Sequence, residues 1–326
     1  MPVKSKIPVL IVTGFLGAGK TTFINRLLEQ NSGLKIGIIE NEFGDVSIDA
    51  RLMTDYRPES IIELNNGCIC CTIYNEFSLT LQELVKKHHH LEQLIIETTG
   101  IADPGPVMEP FYQEEDLKRF FEFKGTVCLV DSENFLTHVG GTVQQKQIIL
   151  SDLIILNKVS KVNEPTLTAI RKKVAALNNT AIVAETNYAG IDSLHLTMLQ
   201  PQLQDEFTKK LKKPFSIDGK AGDFHSCTIR FEGLLDENRF GEWFRYFVSL
   251  HRTHIFRIKG MVNFTNNPYT AIVQSVGGTT SITEGSVINP HDHLENILIF
   301  IGQKISKQEI EKEIKQFLLQ EEEPKI

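Results

Sequence analysis

Apolar residues follow two different patterns along the chain, and they predict its elements. From Ile7 to about Leu199, short runs of β-branched and other apolar residues alternate with longer stretches in which apolar residues recur every three or four positions. The short runs predict strands covered on both faces, and the longer stretches predict amphipathic helices. This alternation is typical of βα units that build one mostly parallel, doubly wound α/β sheet.

The predicted strands of this region are short and almost entirely apolar: Ile7–Thr13, Lys35–Glu40, Ser60–Leu64, Gln93–Thr98, Gly125–Val130, Asp152–Asn157 and Thr180–Ala184. The predicted helices between them are Thr21–Gln30, Tyr74–Lys87 and Glu164–Leu177.

The pattern breaks at residues 203–223, where charged residues, proline and glycine leave little to bury. We interpret this segment as a linker between a domain at residues 1–202 and a smaller one at residues 224–326. The smaller domain contains, in order, a strand, a helix, three strands and a helix: Ser226–Phe231, Glu237–Leu250, Ile255–Phe264, Tyr269–Ser275, Asn296–Ile301 and Lys307–Gln320. This order predicts an α+β domain with helices on one face of an antiparallel sheet.

Composition narrows the possible functions mainly by exclusion. The 326 residues are 41% hydrophobic and 23% charged, which is ordinary for a globular chain of two domains. A formal net charge of −7 disfavours nucleic acid as a partner, because binding its phosphate backbone needs a basic surface. No apolar run approaches the roughly 20 residues that span a bilayer, and the amino terminus has no A-x-A-like cleavage site. We therefore expect a cytoplasmic protein without a membrane partner.

The first predicted strand runs directly into GFLGAGKTT at residues 14–22, which matches the P-loop pattern G-x-x-x-x-G-K-[ST]. In a P-loop, backbone N–H groups and the positive end of the following helix face a phosphate. The lysine reaches the β- and γ-phosphates, and the hydroxyl that follows it binds Mg²⁺. The predicted phosphate and Mg²⁺ contacts are Gly14, Gly17, Ala18, Gly19, Lys20, Thr21 and Thr22.

The predicted strand at residues 93–98 delivers a carboxylate, Glu97, and is followed by Gly100. Beside a P-loop, an acidic residue in this position completes the Mg²⁺ shell or orients the attacking water, and a following glycine donates its N–H to the γ-phosphate. Lys20 and Glu97 are therefore the candidate catalytic residues, with Gly100 as a nucleotide contact.

The cysteines are unevenly distributed: Cys68, Cys70 and Cys71 are clustered, whereas Cys128 and Cys227 stand alone. In a reducing compartment, clustered thiols are typical of soft-metal ligands, and Zn²⁺ is the first candidate. Structural zinc sites use four protein ligands, so a three-thiolate set leaves one position open and favours transfer over permanent binding. Buried hydrophobic cysteines and a redox switch are the alternatives at this point.

Taken together, the P-loop, the segment at residues 39–49 (IENEFGDVSID), NGCICC at 66–71 and ETTGIADPGP at 97–106 resemble the CobW/YjiA-like metallochaperone GTPases. The resemblance covers nearly the whole chain, since it continues through residues 130–131, 151–158, 257–264 and 272–278.

This resemblance implies a P-loop GTPase that carries a transition metal, Zn²⁺ or Co²⁺, and releases it to a client apo-metalloprotein according to its bound nucleotide, GTP or GDP. It implies metal binding by the clustered cysteines and a switch loop at Glu40–Asp49, within which Glu40 and Asp45 contribute to metal or Mg²⁺ coordination. It also implies that Asn157 and Lys158 contact the guanine base.

One position departs from the family pattern. The guanine-binding motif of GTPases is N-K-x-D, and this chain has Ser160 in place of the aspartate. Replacing a charge-assisted pair of hydrogen bonds with at most one neutral hydroxyl bond forfeits roughly 1–2 kcal/mol, or about tenfold in guanine preference. We expect nucleotide binding with reduced selectivity for GTP.

Two other functions remain open on the residues alone. A P-loop small-molecule kinase or ATPase with a structural or redox cysteine cluster would need an arginine-rich lid, and the arginines of the first domain form no cluster in the sequence. A passive zinc-storage protein would bind zinc with the same affinity whatever nucleotide is present.

Overall fold

The computed structural model describes residues 6–31, 33–41, 74–87, 90–190, 219–221, 224–289, 294–303 and 305–318. These residues divide into two compact units, and the short segment Ala175–Thr180 groups with the second. No helix in these ranges is both long and apolar enough to cross a membrane.

The first unit alternates strands and helices. Its elements are β1 (Ile7–Gly14), α1 (Lys20–Gln30), β2 (Ile36–Asn41), α2 (Tyr74–Lys87), β3 (Gln93–Thr98), α3 (Gly105–Gln113), α4 (Glu115–Phe120), β4 (Phe121–Asp131), α5 (Phe135–His138), α6 (Thr142–Ile149), β5 (Leu153–Asn157), α7 (Glu164–Leu177) and β6 (Ile182–Glu185). The strands form a six-stranded sheet in the order β2-β3-β1-β4-β5-β6, in which all neighbours are parallel. The predicted α/β fold is therefore confirmed.

Strand β4 is longer than the sequence pattern predicts. It begins at Phe121 rather than Gly125, and its pairing with β1 shifts register at this point, with Val9 opposite Phe123 and Leu10 opposite Gly125. Lys124 is the extra residue at this shift. Because Glu122 and Lys124 are charged, the pattern of apolar residues does not reveal this part of the strand. The predicted strand Ser60–Leu64 lies outside the described residues.

The second unit is an antiparallel sheet with helices. Its elements are β7 (Gly219–Ala221), β8 (Phe224–Glu232), α8 (Glu237–His251), β9 (Ile255–Asn263), β10 (Tyr269–Val276), β11 (Thr279–Val287), β12 (Glu295–Gln303) and α9 (Lys307–Leu318). The sheet order is β11-β10-β9-β12-β8-β7, with antiparallel neighbours throughout. The predicted α+β class of this unit is confirmed, with a core rich in phenylalanine and including Trp243.

Two strands of this sheet were not predicted. Strand β11 is largely polar, and it follows β10 through a two-glycine turn, Gly277–Gly278, of the kind that joins hairpin strands. The short strand β7 lies within the predicted linker 203–223, whose other residues fall outside the described ranges. The domain boundaries at 202 and 224 stay predictions.

Candidate functional site

The P-loop leaves the carboxyl end of β1, where close backbone packing dictates its glycines. Gly14 has φ 137°, and a Cβ there would lie 2.3 Å from the carbonyl oxygen of Leu129 in β4. Gly19 has φ 103°, and its Cβ would lie 2.5 Å from Nδ2 of Asn157. Both positions exclude any side chain, because conformation and space are restricted together. Helix α1 begins at the next residue, so its amino end adjoins the loop, as phosphate binding requires.

The two candidate catalytic side chains meet beside this loop. The Lys20 side chain is 9% exposed, and its Nζ donates to the carbonyl oxygen of Gly14 at 3.2 Å. The same Nζ lies 3.9 Å from Oε1 of Glu97. Glu97 stands near the end of β3, next to Val12 of β1 in the parallel register. The sheet thus brings a buried ammonium and a buried carboxylate to one edge.

The oxygen groups at this edge fit Mg²⁺. The Glu97 carboxylate is buried here, and Thr21 follows Lys20 in the first turn of α1. Carboxylate and hydroxyl oxygens are hard ligands of the kind that Mg²⁺ prefers, usually with phosphate oxygens completing its shell. Thr21 would hold the ion with assistance from Glu97, and the bound ion would neutralise charge on the β- and γ-phosphates.

The backbone at Gly100 packs against the P-loop. A Cβ at Gly100 would lie 2.6 Å from the backbone nitrogen of Leu16, so only glycine fits there. On its other side, the Gly100 carbonyl accepts a hydrogen bond of 3.2 Å from Nε2 of Gln147 in α6. The sequence indicates Gly100, but it gives no signal for Gln147, because its helix was not predicted and glutamine side chains are mostly exposed.

A second cluster lies at the carboxyl end of β5. The buried Asn157 side chain donates from Nδ2 to the carbonyl oxygen of Ala18 at 2.9 Å. Its Oδ1 accepts the backbone N–H groups of Lys158 and Ala189, both at 2.9 Å. Asn157 therefore links the P-loop to the residues that follow β6, which brings the predicted phosphate and base contacts together.

Lys158 is held by an ion pair. Its backbone is left-handed, with φ 59°, and its Nζ donates to Oδ2 of Asp131 at 2.8 Å. Burial acts to raise the pKa of Asp131, but hydrogen bonds from Lys158 and Asn134 outweigh it and hold that pKa below its usual value. The carboxylate consequently stays ionised and keeps Lys158 in place.

Sequence patterns missed the segment 186–190, which contributes to this cluster. The backbone N–H of Ser160 donates to Oδ1 of Asn187 at 2.9 Å. Tyr188 and Ala189 both have positive φ, and the Tyr188 side chain is 76% exposed. The only sequence signal was the N-Y-A-G run after a strand, which suggests a turn and nothing more.

The predicted transition-metal ligands cannot be placed. Cys68, Cys70, Cys71 and Asp45 lie outside the described residues, and only the backbone of Glu40 is described, as part of β2. In the described ranges, no three histidine, cysteine, aspartate or glutamate side chains form a metal-binding group.

The two solitary cysteines are buried. Burial raises the pKa of Cys128 to about 12, which makes it a poor source of thiolate near neutral pH. Cys128 is therefore a poor alternative to the clustered cysteines as a metal ligand.

Comparison with known proteins identifies the family. Residues 8–185, more than half of the chain, match the model of the CobW/HypB/UreG nucleotide-binding domain. The chain belongs to the CobW family. Residues 224–318 match a second model, the cobalamin synthesis protein cobW C-terminal domain, so both units have counterparts in known CobW-family proteins.

Two relatives align with more than four fifths of the chain. The zinc chaperone YjiA of Escherichia coli (strain K12) is 31% identical over 313 residues, which cover 93% of this chain and 96% of the relative. The zinc chaperone CobW of Sinorhizobium sp is 28% identical over 309 residues, covering 84% and 86%. The crystal structure of Zn(II)-bound YjiA GTPase from E. coli has a TM-score of 0.66 at 22% identity, covering 96% of this chain and 99% of that one. That structural match shows a shared fold.

Proposed function

We propose that this CobW-family protein is a slow GTPase that carries Zn²⁺, or Co²⁺, and delivers it to a client apo-metalloprotein under nucleotide control. Cys68, Cys70 and Cys71 hold the metal, which is cargo. The names of the relatives, which are zinc chaperones, support zinc as that cargo. Clustered thiols and an acidic composition favour a cytoplasmic location and a protein partner.

The register of β2 and β3 is the observation that carries the proposal. Glu40 pairs with Glu97, and Asn41 pairs with Thr98. The chain that leads from β2 to the cysteines therefore departs beside the carboxylate of the nucleotide site. A change at Glu97 on binding or hydrolysis of GTP would act on the end of β2 that precedes the cysteines in the chain, as in switches that order a segment around a γ-phosphate.

Hydrolysis itself rests on positioning and electrostatics. Backbone N–H groups of the P-loop hold the phosphates, and the Lys20 ammonium stabilises the negative charge that the γ-phosphoryl group carries during transfer. In the proposed role, Glu97 orients the water that attacks the γ-phosphorus, and GDP is the leaving group. The buried Lys20–Glu97 pair, with 3.9 Å between Nζ and Oε1, keeps both groups beside the loop before nucleotide arrives.

The kinase alternative finds no support in Arg119 and Arg171, two of the arginines that the structure describes in the first unit. In the first unit, Arg171 pairs with Glu164 and Glu185, and Arg119 pairs with Asp116 on the surface of α4. A kinase lid would instead direct arginines to the transferred phosphate.

Zinc competition tests the proposal directly. Reduced protein is titrated with zinc against a chromophoric chelator, with Mg²⁺ and GTP, GDP, ATP or no nucleotide. We expect zinc affinity to differ at least fivefold between the GTP and GDP forms, because a coupling of 1 kcal/mol corresponds to about that factor. We expect Cys70→Ser to weaken zinc binding by at least tenfold, since a thiolate ligand is lost.

Cys227→Ala is the matched control, because it removes a buried cysteine of the second unit. It is expected to bind zinc like the parent. Unchanged zinc binding in Cys70→Ser would remove the metal site from the proposal. Zinc affinity that no nucleotide alters would favour passive storage, and coupling to ATP alone would favour the ATPase alternative.

A further inference from the structure

Helix α6 contains a buried glutamine that is hydrogen-bonded to the loop after β3. Gln147 is 1% exposed, and its Nε2 donates to two carbonyl oxygens of that loop, those of Gly100 at 3.2 Å and Ala102 at 3.1 Å. Two bonds from one nitrogen fix the orientation of the carboxamide as well as the position of the loop. A buried carboxamide is retained in a core only where such partners offset its desolvation.

The neighbouring residues hold the same loop and the glutamine itself. Nζ of Lys146 lies 2.7 Å from Oδ2 of Asp103, whose Oδ1 accepts the backbone N–H of Gly105 at 2.9 Å. The backbone carbonyl of Gln147 accepts the hydroxyl of Ser151 at 2.6 Å. Consecutive residues of α6 thus anchor the loop at two points, and α6 is itself tied to the chain that follows it.

Gly100 is confined from two directions. On one side its Cα faces the backbone nitrogen of Leu16, with no room for a Cβ, and on the other its carbonyl is held by Gln147. A donor to a reacting phosphate must be placed within a fraction of an ångström, because misplacement by about 1 Å costs roughly 100-fold in rate.

We propose that Gln147 is a positioning residue of the GTPase site, which holds Gly100 where its N–H recognises the γ-phosphate. The inference rests on the proposed function, since it deepens the role of Gly100 in that site. GDP has no γ-phosphate, so the effect of Gln147 is confined to GTP. Gln147 therefore raises the affinity for GTP relative to the affinity for GDP.

Removal of the two donors tests this. Gln147→Leu keeps a buried side chain of similar size but leaves both loop carbonyls without their donor. With Mg²⁺, we expect binding of a non-hydrolysable GTP analogue to weaken about tenfold, corresponding to about 1.4 kcal/mol, with GDP affinity within about twofold of the parent. We also expect kcat for GTP to fall at least tenfold.

Gln145→Leu is the matched control. Gln145 is a second buried glutamine of α6, and its Nε2 donates to the carbonyl oxygen of Val139 at 2.9 Å, away from Gly100. We expect it to lower the melting temperature as Gln147→Leu does and to leave the ratio of GTP-analogue to GDP affinity unchanged. Lys146→Met, at a partly exposed position, is a second variant that we expect to fold and to change the same ratio in the same direction by less.

The outcomes separate the two proposals. Equal losses for GTP analogue and GDP in Gln147→Leu, or the same change of ratio in Gln145→Leu, would overturn the positioning role. If Gln147→Leu does not fold, an unchanged ratio in Lys146→Met overturns it. Absence of GTP binding, or of any nucleotide effect on zinc affinity, in the parent protein is instead a failure of the proposed function.

Discussion

The phosphate-facing and base-facing parts of the proposed nucleotide site are built by different means. At the phosphate-facing part, Gly14, Gly19 and Gly100 each lie so close to a neighbouring residue that a Cβ does not fit. At the base-facing part, hydrogen bonds of the Asn157 side chain hold the structure, and Ser160 is exposed in a short 3-10 helix, Val159–Lys161. Sterics restrict the first part to one residue type, whereas the second part leaves position 160 free to vary.

Because of this difference, nucleotide affinity and selectivity for the base depend on different residues. Close packing preserves the shape that any nucleoside triphosphate needs, because phosphates are common to all of them. Selectivity for the base depends on one or two polar side chains, each contributing about 1–3 kcal/mol. Substitutions in the two parts should consequently produce effects of different size and kind.

The largest effect is expected at Gly14. Gly14→Ala combines an unfavourable positive φ with overlap against Leu129, and we expect a loss of about 3 kcal/mol or more in unfolding free energy, together with loss of nucleotide binding. Gly17→Ala is the control: Gly17 has φ 72° but no atom within 4 Å of its Cβ position, so strain alone predicts a loss of about 1–2 kcal/mol. Denaturant unfolding without nucleotide measures both, and equal losses would refute the steric argument.

An intermediate effect is expected at the base-facing part. Ser160→Asp restores the carboxylate of the guanine-binding motif, and we expect the ratio of GTP to ATP affinity to rise about tenfold. Calorimetry with both nucleotides measures this ratio, and Ser160→Ala should leave it within about twofold. The expectation fails if the parent already binds GTP tightly and excludes ATP.

The smallest effect concerns pH. Because the folded protein lowers the pKa of Asp131, the Asp131–Lys158 pair adds stability that is present above the ordinary aspartate pKa of about 3.9 and lost as pH falls through the lowered value. The melting temperature of Asp131→Asn should therefore fall less steeply than that of the parent below about pH 5. Asp116→Asn, which disrupts an exposed pair on α4, serves as control and should behave like the parent. Identical acid profiles for the parent and Asp131→Asn would contradict the assignment.

Sequence patterns predicted the regular parts of the molecule and missed those that depend on tertiary contacts. Apolar runs found β3 and α7 to the residue, because burial on both faces of a strand or one face of a helix leaves a periodic pattern. Helix α6 was missed because its three glutamines conceal its buried face. The roles of Gln147 and of segment 186–190 arise from hydrogen bonds between residues distant in the chain, which no local pattern encodes.

Asn157 has a consequence for how nucleotide preference can evolve. Its side chain already satisfies the carbonyl of Ala18 and the N–H of Ala189, so its loss would disturb both halves of the site at once. Position 160, by contrast, donates its backbone N–H to Oδ1 of Asn187, a contact that any residue except proline can make. A substitution at position 160 can therefore change which purine is preferred while the hydrogen bonds of Asn157, which hold the site together, stay intact.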